Sequence, residues 1–154
     1  MKNAAKSQTK RISNRRARHD YELGDGFVAG LQLSGPETKA LRLGHGQLRG
    51  AYVTVKDGEL WLINATITGG PGLPIDEQDQ TRSRKLLAKR REIDQLIAAK
   101  QQGQTIVPLE ILTSGHYIKL RLAVGRGKKL YDKRQTLKKR EEQKRIDQTI
   151  KNHK

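Results

Sequence analysis

The sequence predicts a mainly β protein with helices, built as a small, closed or partly closed antiparallel barrel of five or six short strands. Phe27, Ala29, Leu31 and Leu33 recur at every second position, and over residues 117–124 apolar residues alternate with Lys119, Arg121 and Ala123; both are the period of a strand, the second with one wet and one buried face. Asp57-Gly58 stands between the apolar segments 52–55 and 60–63, a strong signal for a β-hairpin. Short strands joined by such turns are typical of a small barrel.

A short helix is predicted after the first strand. Gly35-Pro36-Glu37 places a proline in the first turn, where its fixed φ suits a helix, and an acid where the helix dipole favours it. Gly44 is the predicted end of this helix. Residues 69–80 are rich in Gly and Pro and then acidic, which predicts a loop.

One long helix is predicted over residues 84–102, ending at Gly103. Its apolar face is formed by Leu86, Leu87, Ile93, Leu96 and Ile97. Residues 106–112 predict a further strand, joined to 117–124 through a turn at 113–115. We expect Tyr52 and Trp61 to belong to the hairpin core, given their apolar neighbours.

The charge distribution divides the chain of 154 residues into three parts. Residues 1–18 carry seven basic residues and no acid, whereas residues 19–124 are close to neutral with thirteen basic and twelve acidic side chains. The segment from Gly125 holds twelve Lys or Arg against four acids. We therefore expect a disordered basic arm over 1–13, a barrel over 14–124, and a basic tail over 125–154 that cannot bury itself.

Composition favours a polyanionic partner. There is no cysteine, which excludes disulfides and thiolate metal sites and fits a reducing cytoplasm. No apolar run approaches the roughly 18 residues of a membrane span, and neither arm has the aromatic and leucine face of a membrane-surface helix. The one-signed arms indicate nucleic acid, and the oligonucleotide-binding type is the leading example of the predicted barrel. We expect a monomer without membrane contact.

Enzymatic chemistry is poorly supported. His19-Asp20 could belong to a phosphohydrolase metal site, but such a site needs several converging ligands. The glycines and lysines that follow Gly125 lack the spacing of a phosphate-binding loop. We expect no catalytic residues, no metal and no cofactor, and keep a metal-dependent hydrolase of nucleic acid as an alternative.

Basic residues in two places are candidates for RNA contact. Asn14–His19 combines arginine forks, which match phosphate oxygens, with an imidazole that can stack on a base. Thr81–Lys85 precedes the predicted long helix and indicates either a phosphate site at a helix N-terminus or a plain N-cap. The candidate barrel residues are Asn14, Arg15, Arg16, Arg18, His19, Lys39, Arg42, Arg82, Arg84, Lys85 and Leu87.

Five blocks of sequence in order resemble the small protein B family, also called SsrA-binding proteins, the bacterial partners of transfer-messenger RNA. The blocks are Asn14–Tyr21 (NRRARHDY), Gly35–Arg42 (GPETKALR), Gly58–Ala65 (GELWLINA), Arg82–Ile93 (RSRKLLAKRREI) and Gly127–Arg134 (GKKLYDKR). The resemblance covers nearly everything from Asn14 to the tail. It implies an oligonucleotide-binding-type barrel that holds the tRNA-like domain of transfer-messenger RNA.

The resemblance also implies a role in trans-translation, in which the barrel and its RNA mimic a tRNA on a stalled ribosome. The tail is then expected to be disordered when free and helical in the empty mRNA channel beside the decoding centre, with ribosomal RNA as a further partner. The protein itself would make or break no bond. A ribosomal protein of the same barrel type, bound constitutively to ribosomal RNA, is the alternative.

Residue roles follow by position. Asn14 and Leu87 match positions that the family uses for RNA, and the expected ribosome contacts of the tail are Gly127, Lys128, Lys129, Tyr131, Asp132, Lys133 and Arg134. Val28 stands where the family commonly has a glutamate, so a neighbouring group is expected to replace that carboxylate. Tyr131 stands where a histidine is common and keeps a ring able to stack on a base.

Overall fold

The computed structural model of the chain describes residues 11–128 and 130–152; the side chains of residues 130–133 and 152 lie outside that description. The elements in chain order are β1 (Ile12–Ser13), α1 (Ala17–Asp20), β2 (Tyr21–Leu31), α2 (Gly35–Arg42), β3 (Gly46–Gln47), β4 (Tyr52–Lys56), β5 (Glu59–Ile63), β6 (Thr66–Ile67), α3 (Glu77–Gln80), β7 (Arg84–Leu87), α4 (Arg90–Gln101), β8 (Thr105–Leu112), β9 (Lys119–Gly127) and α5 (Leu130–Asn152).

Seven strands form one antiparallel sheet in the order β1-β8-β9-β2-β7-β5-β4, and β3 pairs with β6 separately. Strand β4 also contacts β8, so the sheet curls back on itself. Within the described residues, β1 and β4 are the two edges of the sheet, and the seam between them is not closed by a ladder. The predicted mainly β fold with helices, a partly closed antiparallel barrel, is confirmed.

The helix and hairpin signals in the first half of the chain are confirmed, whereas the loop predicted over residues 69–80 ends in the short helix α3. The Ser34 hydroxyl accepts the Glu37 N–H at 3.4 Å and the Glu37 carboxylate accepts the Ser34 N–H at 2.9 Å, a capping box at the start of α2. Gly44 ends this helix region with φ of 83°. Asp57 and Gly58 both have positive φ in the β4–β5 turn, as a two-residue hairpin requires.

The barrel interior is apolar. Leu60, Leu62, Leu86, Leu120 and Leu122 are fully buried, and Ala40 and Leu41 of α2 and Ile93 and Leu96 of α4 pack against the same core. The expectation that Tyr52 and Trp61 lie in this core is wrong: Tyr52 is 48% exposed, Trp61 is half-buried, and neither belongs to the core cluster. In the β4–β5 ladder, Val53 pairs with Leu62 inside, so Tyr52 on the neighbouring position faces outward.

The predicted helix over residues 84–102 is wrong in its first part. Residues 84–87 form strand β7, which lies between β2 and β5, and α4 begins only at Arg90 after an extended Lys89. The sheet needs a strand at this position, and that tertiary requirement overrides the helical spacing of Leu86 and Leu87. Thr81 and Ser83 precede a strand, and the N-cap of α4 is Lys89, so both alternatives for this segment, a phosphate site at a helix N-terminus and a plain N-cap, are wrong.

Both ends of the barrel extend into the segments predicted as basic arms. Ile12 and Ser13 pair with β8, and Ile12 is buried, so disorder does not extend through residue 13. Gly125–Gly127 continue β9 against β2, and α5 follows. The remaining residues of the arm, 1–10, lie outside the described part. None of the helices in the described ranges is long and apolar enough to cross a membrane.

A fully buried arginine joins three parts of the fold. Arg84 donates from Nε to Glu37 Oε2 at 2.7 Å, and its two Nη atoms donate to four backbone oxygens. Those acceptors are the carbonyls of Ala65, Arg82, Asp79 and Gln80. All five N–H groups of the guanidinium are thus satisfied, which a buried charge requires. The predicted role of Arg84 in RNA binding is therefore wrong.

The carboxylate of Glu37 is held ionised inside the protein. Burial by itself raises the pKa of Glu37, but hydrogen bonds from Arg82, the Ser34 backbone and Arg84 outweigh it and lower that pKa from 4.5 to about 2. Burial lowers the pKa of Arg84, and the hydrogen bond to Glu37 opposes this shift. The pair fixes α2 against β7 at the end of the barrel.

We expect the Glu37 carboxylate to make stability pH-dependent. Because its folded pKa is depressed, the stabilisation is complete above about pH 4.5 and is lost as pH falls toward about 2. Glu37→Gln should lower the free energy of unfolding at neutral pH by about 3 kcal/mol, since Arg84 loses its counter-ion. Urea unfolding at pH 7 and pH 3 should show the variant and the wild type converging at low pH.

The matched control is Glu77→Gln on the exposed helix α3. It should change the unfolding free energy at pH 7 by less than about 0.5 kcal/mol. A pH dependence of Glu37→Gln equal to that of the wild type would contradict the assignment.

Candidate nucleic-acid interface

The N-terminal basic set is assembled on α1 and the turn before it. Asn14 is half-buried; its side-chain amide donates to the Pro108 carbonyl at 3.0 Å and its backbone N–H to the Leu109 carbonyl at 2.7 Å. Asn14 therefore anchors the segment to β8. The arginines it positions, Arg15, Arg16 and Arg18, are exposed, and His19 is half-buried. Three guanidinium groups on one turn can contact successive phosphates.

A second set of candidates lies in a row across three strands. Gly30 of β2 pairs with Leu87 of β7 on one side and with Lys119 of β9 on the other. Leu87 is 53% exposed although it is large and apolar. A Cβ on Gly30 would come within 3.4 Å of the Leu87 Cβ, so the glycine leaves the space between Leu87 and Lys119 open. An apolar surface beside a cation suits a base and its phosphate.

The next row contains the position where a glutamate was expected. Val28 pairs with Arg121 and is 45% exposed. The carboxylate near Arg121 belongs instead to Glu110 on β8, 3.6 Å from Arg121 and 3.2 Å from Arg11. Val28 thus extends the apolar surface of Leu87. The carboxylate that contacts Arg121 comes from Glu110 on β8, the strand on the other side of β9 from β2. We call Val28, Gly30, Leu87, Lys119 and Arg121 the central sheet face.

Arg42 shapes the β8–β9 turn at the end of this face. Its guanidinium donates to the carbonyls of Thr113 at 2.9 Å, Gly115 at 3.2 Å and His116 at 2.9 Å. The turn presents Tyr117, which is 73% exposed and meets the His116 ring edge-on at 4.8 Å between centroids. Arg42 was predicted to contact RNA; the structure gives its guanidinium three backbone partners and makes it a positioning residue for two rings.

The other predicted barrel residues are distributed around these surfaces. Lys85 pairs with Trp61 on the outer side of β7 and is half-buried, and Lys39 is exposed on α2. Arg82 makes an ion pair with Glu37 and is only partly available. The structure therefore brings Lys85 and Leu87 together on one strand, and separates them from the N-terminal arginines. Across residues 11–128 and 130–152, no His, Asp and Glu group is suited to hold a metal ion.

Lys128 connects the barrel to the tail. Its Nζ donates to the Arg18 carbonyl of α1 at 2.8 Å and to the Thr136 hydroxyl of α5 at 2.9 Å. Its backbone N–H donates to the Asp20 carbonyl at 2.8 Å. Helix α5 then leaves the barrel, with Arg134 exposed. Lys129 lies outside the described residues, as do the side chains of Tyr131, Asp132 and Lys133.

The tail helix exposes both charge and a few apolar side chains. Leu137, Ile146 and Ile150 are about half exposed, and the basic residues around them face solvent. An isolated helix of this kind has little packing to stabilise it. Its disorder when free and its helical form on the ribosome stay predictions.

A small antiparallel barrel with a cationic sheet face, an arginine-bearing first helix and a basic helical tail defines a nucleic-acid-binding protein. The family model described as SmpB protein matches residues 11–152, nearly the whole chain. The chain belongs to the SmpB family.

Relatives and a solved structure agree with this assignment. The SsrA-binding protein of Synechococcus sp. (strain JA-3-3Ab) is 44% identical over 142 residues, which cover 91% of this chain and 92% of that protein. The SsrA-binding protein of Chlorobium chlorochromatii (strain CaD3) is 44% identical over 144 residues, 92% of each. A chain in a solved structure described as "tmRNA-SmpB: a journey to the center of the bacterial ribosome" matches with a TM-score of 0.63 and 39% identity, covering 78% of this chain and 85% of that one.

Sequence reasoning missed part of the central sheet face. Lys119 and Arg121 alternate with buried leucines in β9, and this alternation did predict a wet face for them. Their partners could not be identified because β7 was predicted as helix, which places Leu87 on a buried face. The pairing of Gly30 with both Leu87 and Lys119 is a property of strand order, and no local pattern signals it.

We expect Lys128→Met to loosen α5 from α1, because it removes both side-chain hydrogen bonds. Hydrogen exchange of backbone amides in residues 134–140 should become about fivefold faster, the effect of losing about 1 kcal/mol. Lys138→Met, on the same helix but exposed, is the matched control and should leave these rates within about twofold. Equal exchange rates in the wild type and Lys128→Met would show that the contact does not hold the helix.

Proposed function

We propose that this chain binds the tRNA-like domain of transfer-messenger RNA and delivers it to stalled ribosomes for trans-translation. The observation that carries the proposal is the family match over residues 11–152, since its relatives are named for binding SsrA and its solved neighbour is a complex of tmRNA with SmpB. The chain acts as a monomeric RNA-binding factor in the cytoplasm. It contributes binding and positioning and performs no bond chemistry of its own.

The central sheet face and the N-terminal arginines supply the RNA contacts. A base edge or sugar can rest on Leu87 and Val28, while Lys119 and Arg121 neutralise the adjoining phosphates. The N-terminal arginines, Arg15, Arg16 and Arg18, add further phosphate contacts from the far end of β2. Recognition then depends mainly on the shape and backbone of a folded RNA rather than on its sequence.

The tail contacts the ribosome. Lys128 fixes the start of α5 beside α1, so the segment that carries the RNA-binding arginines, α1 with the turn before it, also orients the tail. Its basic side chains suit the phosphate lining of an mRNA channel, made of ribosomal RNA, and the half-exposed Leu137, Ile146 and Ile150 give it anchoring points there. Residues 127–134 would then lie next to the decoding centre.

We expect Leu87→Asp to weaken binding of a tRNA-like RNA fragment by about tenfold or more, because a carboxylate beside phosphate adds repulsion and removes apolar contact. Lys119→Gln should weaken binding less and reduce the slope of log K against log salt by about 0.7 to 0.9. Filter binding or fluorescence anisotropy at several salt concentrations measures both. Lys56→Gln, exposed at the far hairpin, is the control and should leave affinity and slope unchanged. Unaltered affinity in Leu87→Asp would exclude this face.

Ending the chain after Lys128 should separate the two activities. The pairing of β9 with β2 and the hydrogen bond from the Lys128 backbone N–H to the Asp20 carbonyl are both retained. Binding of the tRNA-like fragment should therefore fall by less than about fivefold. Tagging of products from stalled ribosomes should fall to background in a reconstituted translation assay. Loss of RNA binding in a truncated protein that is still folded would show that the tail, not the barrel, holds the RNA.

A further inference from the structure

We propose that the open seam of the barrel is a second RNA site, which binds a single-stranded segment of RNA. A cleft of about 1170 Å³ lies there between the edge strands β1 and β4. Its lining comes from residues 11–17, 46–54 and 104–106, together with Asp20, Tyr21 and Lys100. The inference builds on the proposed RNA-binding function and adds to it a site separate from the central sheet face.

The lining of the seam cleft is strongly cationic. It contains Arg11, Arg15, Arg16, Arg49 and Lys100 against a single acid, Asp20. Arg11 is paired with Glu110, which is not part of the lining. The Lys100 Nζ donates to the Thr54 hydroxyl at 3.2 Å, which holds the ammonium group at the β4 side of the cleft. A groove with cations on both sides attracts a phosphate backbone.

Tyr52 gives the cleft an aromatic surface. It begins the edge strand β4, and the residue is 48% exposed because the strand turns Val53 into the core instead. Aromatic side chains in positively charged grooves are the stacking platforms of single-stranded RNA, since every base has a π-face. In the turn before it, Gly50 has φ of 75°, and a Cβ added to this glycine would meet no atom within 4 Å. The turn therefore leaves open space at Gly50, which also lines the cleft.

The seam suits RNA better than an added peptide strand. A peptide that extends a sheet needs a continuous edge for its hydrogen bonds, but β1 is only two residues long. The residues that follow β1 in the lining, Arg15 and Arg16, are exposed cations rather than apolar pockets for alternate side chains. Binding sites on oligonucleotide-binding folds span about 4 to 16 nucleotides. The cleft offers one ring for stacking and, besides Arg11, four cations for phosphates, so we expect it to hold about four nucleotides.

The first experiment uses the full chain and a short unstructured RNA that carries 2-aminopurine. Stacking on Tyr52 should quench its fluorescence on binding, and Tyr52→Ala should abolish most of the quenching and weaken binding about tenfold. Tyr52→Phe keeps the ring and should behave like the wild type, which separates stacking from a fold defect. Full quenching with Tyr52→Ala would overturn the proposal.

The second experiment tests the phosphate contacts and does not depend on Tyr52. Arg49→Gln and Lys100→Gln should each reduce the slope of log K against log salt for the same oligonucleotide by about 0.7. Lys56→Gln, on strand β4 but outside the lining, is the matched control and should keep the wild-type slope. Because the basic tail is present in every variant, its contribution cancels. Slopes for both variants equal to that of the control would refute the phosphate contacts and the site with them.

Two further arms separate this site from the proposed function and identify the RNA. If the oligonucleotide depends on Tyr52 while a tRNA-like fragment does not bind the wild type, the proposed function fails and the seam site stands. If the tRNA-like fragment binds the wild type but Tyr52→Ala leaves the quenching by the oligonucleotide unchanged, the proposed function stands and the seam site fails. A photo-crosslinking residue at position 52, in stalled ribosomes, should label transfer-messenger RNA or ribosomal RNA and so name the source. Labelling of protein alone would rule out the assignment to RNA.

Discussion

The buried ion pair between Glu37 and Arg84 is the constraint on which the rest of the structure depends. It joins the capping box of α2 to the start of strand β7 and holds neighbouring segments of the chain through four carbonyls. With Arg84 directed inward, the alternation of the strand buries Leu86 and exposes Leu87. The exposed leucine of β7 is thus placed on the central sheet face by a buried charge two strand positions away from Leu86.

The order of the strands in the sheet brings residues that are distant in the chain together on one surface. Gly30 brings Leu87 and Lys119 into one row, and Arg42 fixes the turn that presents Tyr117. At the seam, the sheet stops short of closure, and the edges β1 and β4 leave a cleft with cations on both sides. One fold therefore offers a flat face suited to a folded RNA and a groove suited to a single strand.

Predictions from sequence were accurate where the signal was local. The Asp57-Gly58 hairpin, the helix beginning at Gly35 and the apolar face of Ile93 and Leu96 depend on residues close in the chain, and all are confirmed. The helix predicted over the residues before α4 was wrong, because Leu86 and Leu87 fit a helix and a strand equally well over so short a segment. Arg84 was a candidate for RNA contact because its segment was predicted to lead into a helix N-terminus, where phosphate is favoured. Its buried partner, Glu37, lies 47 residues away in the chain.

The sequence by itself determined the class of fold, the neutral barrel with basic extensions, and the polyanionic partner, because composition and period depend only on the order of residues. The tertiary structure alone decided which cations are buried and which are exposed. Arg84 and Arg15 are chemically alike, yet one is enclosed by a carboxylate and four carbonyls and the other is exposed at a cleft. Burial and long-range pairing make that difference, and neither can be predicted from a local segment of the chain.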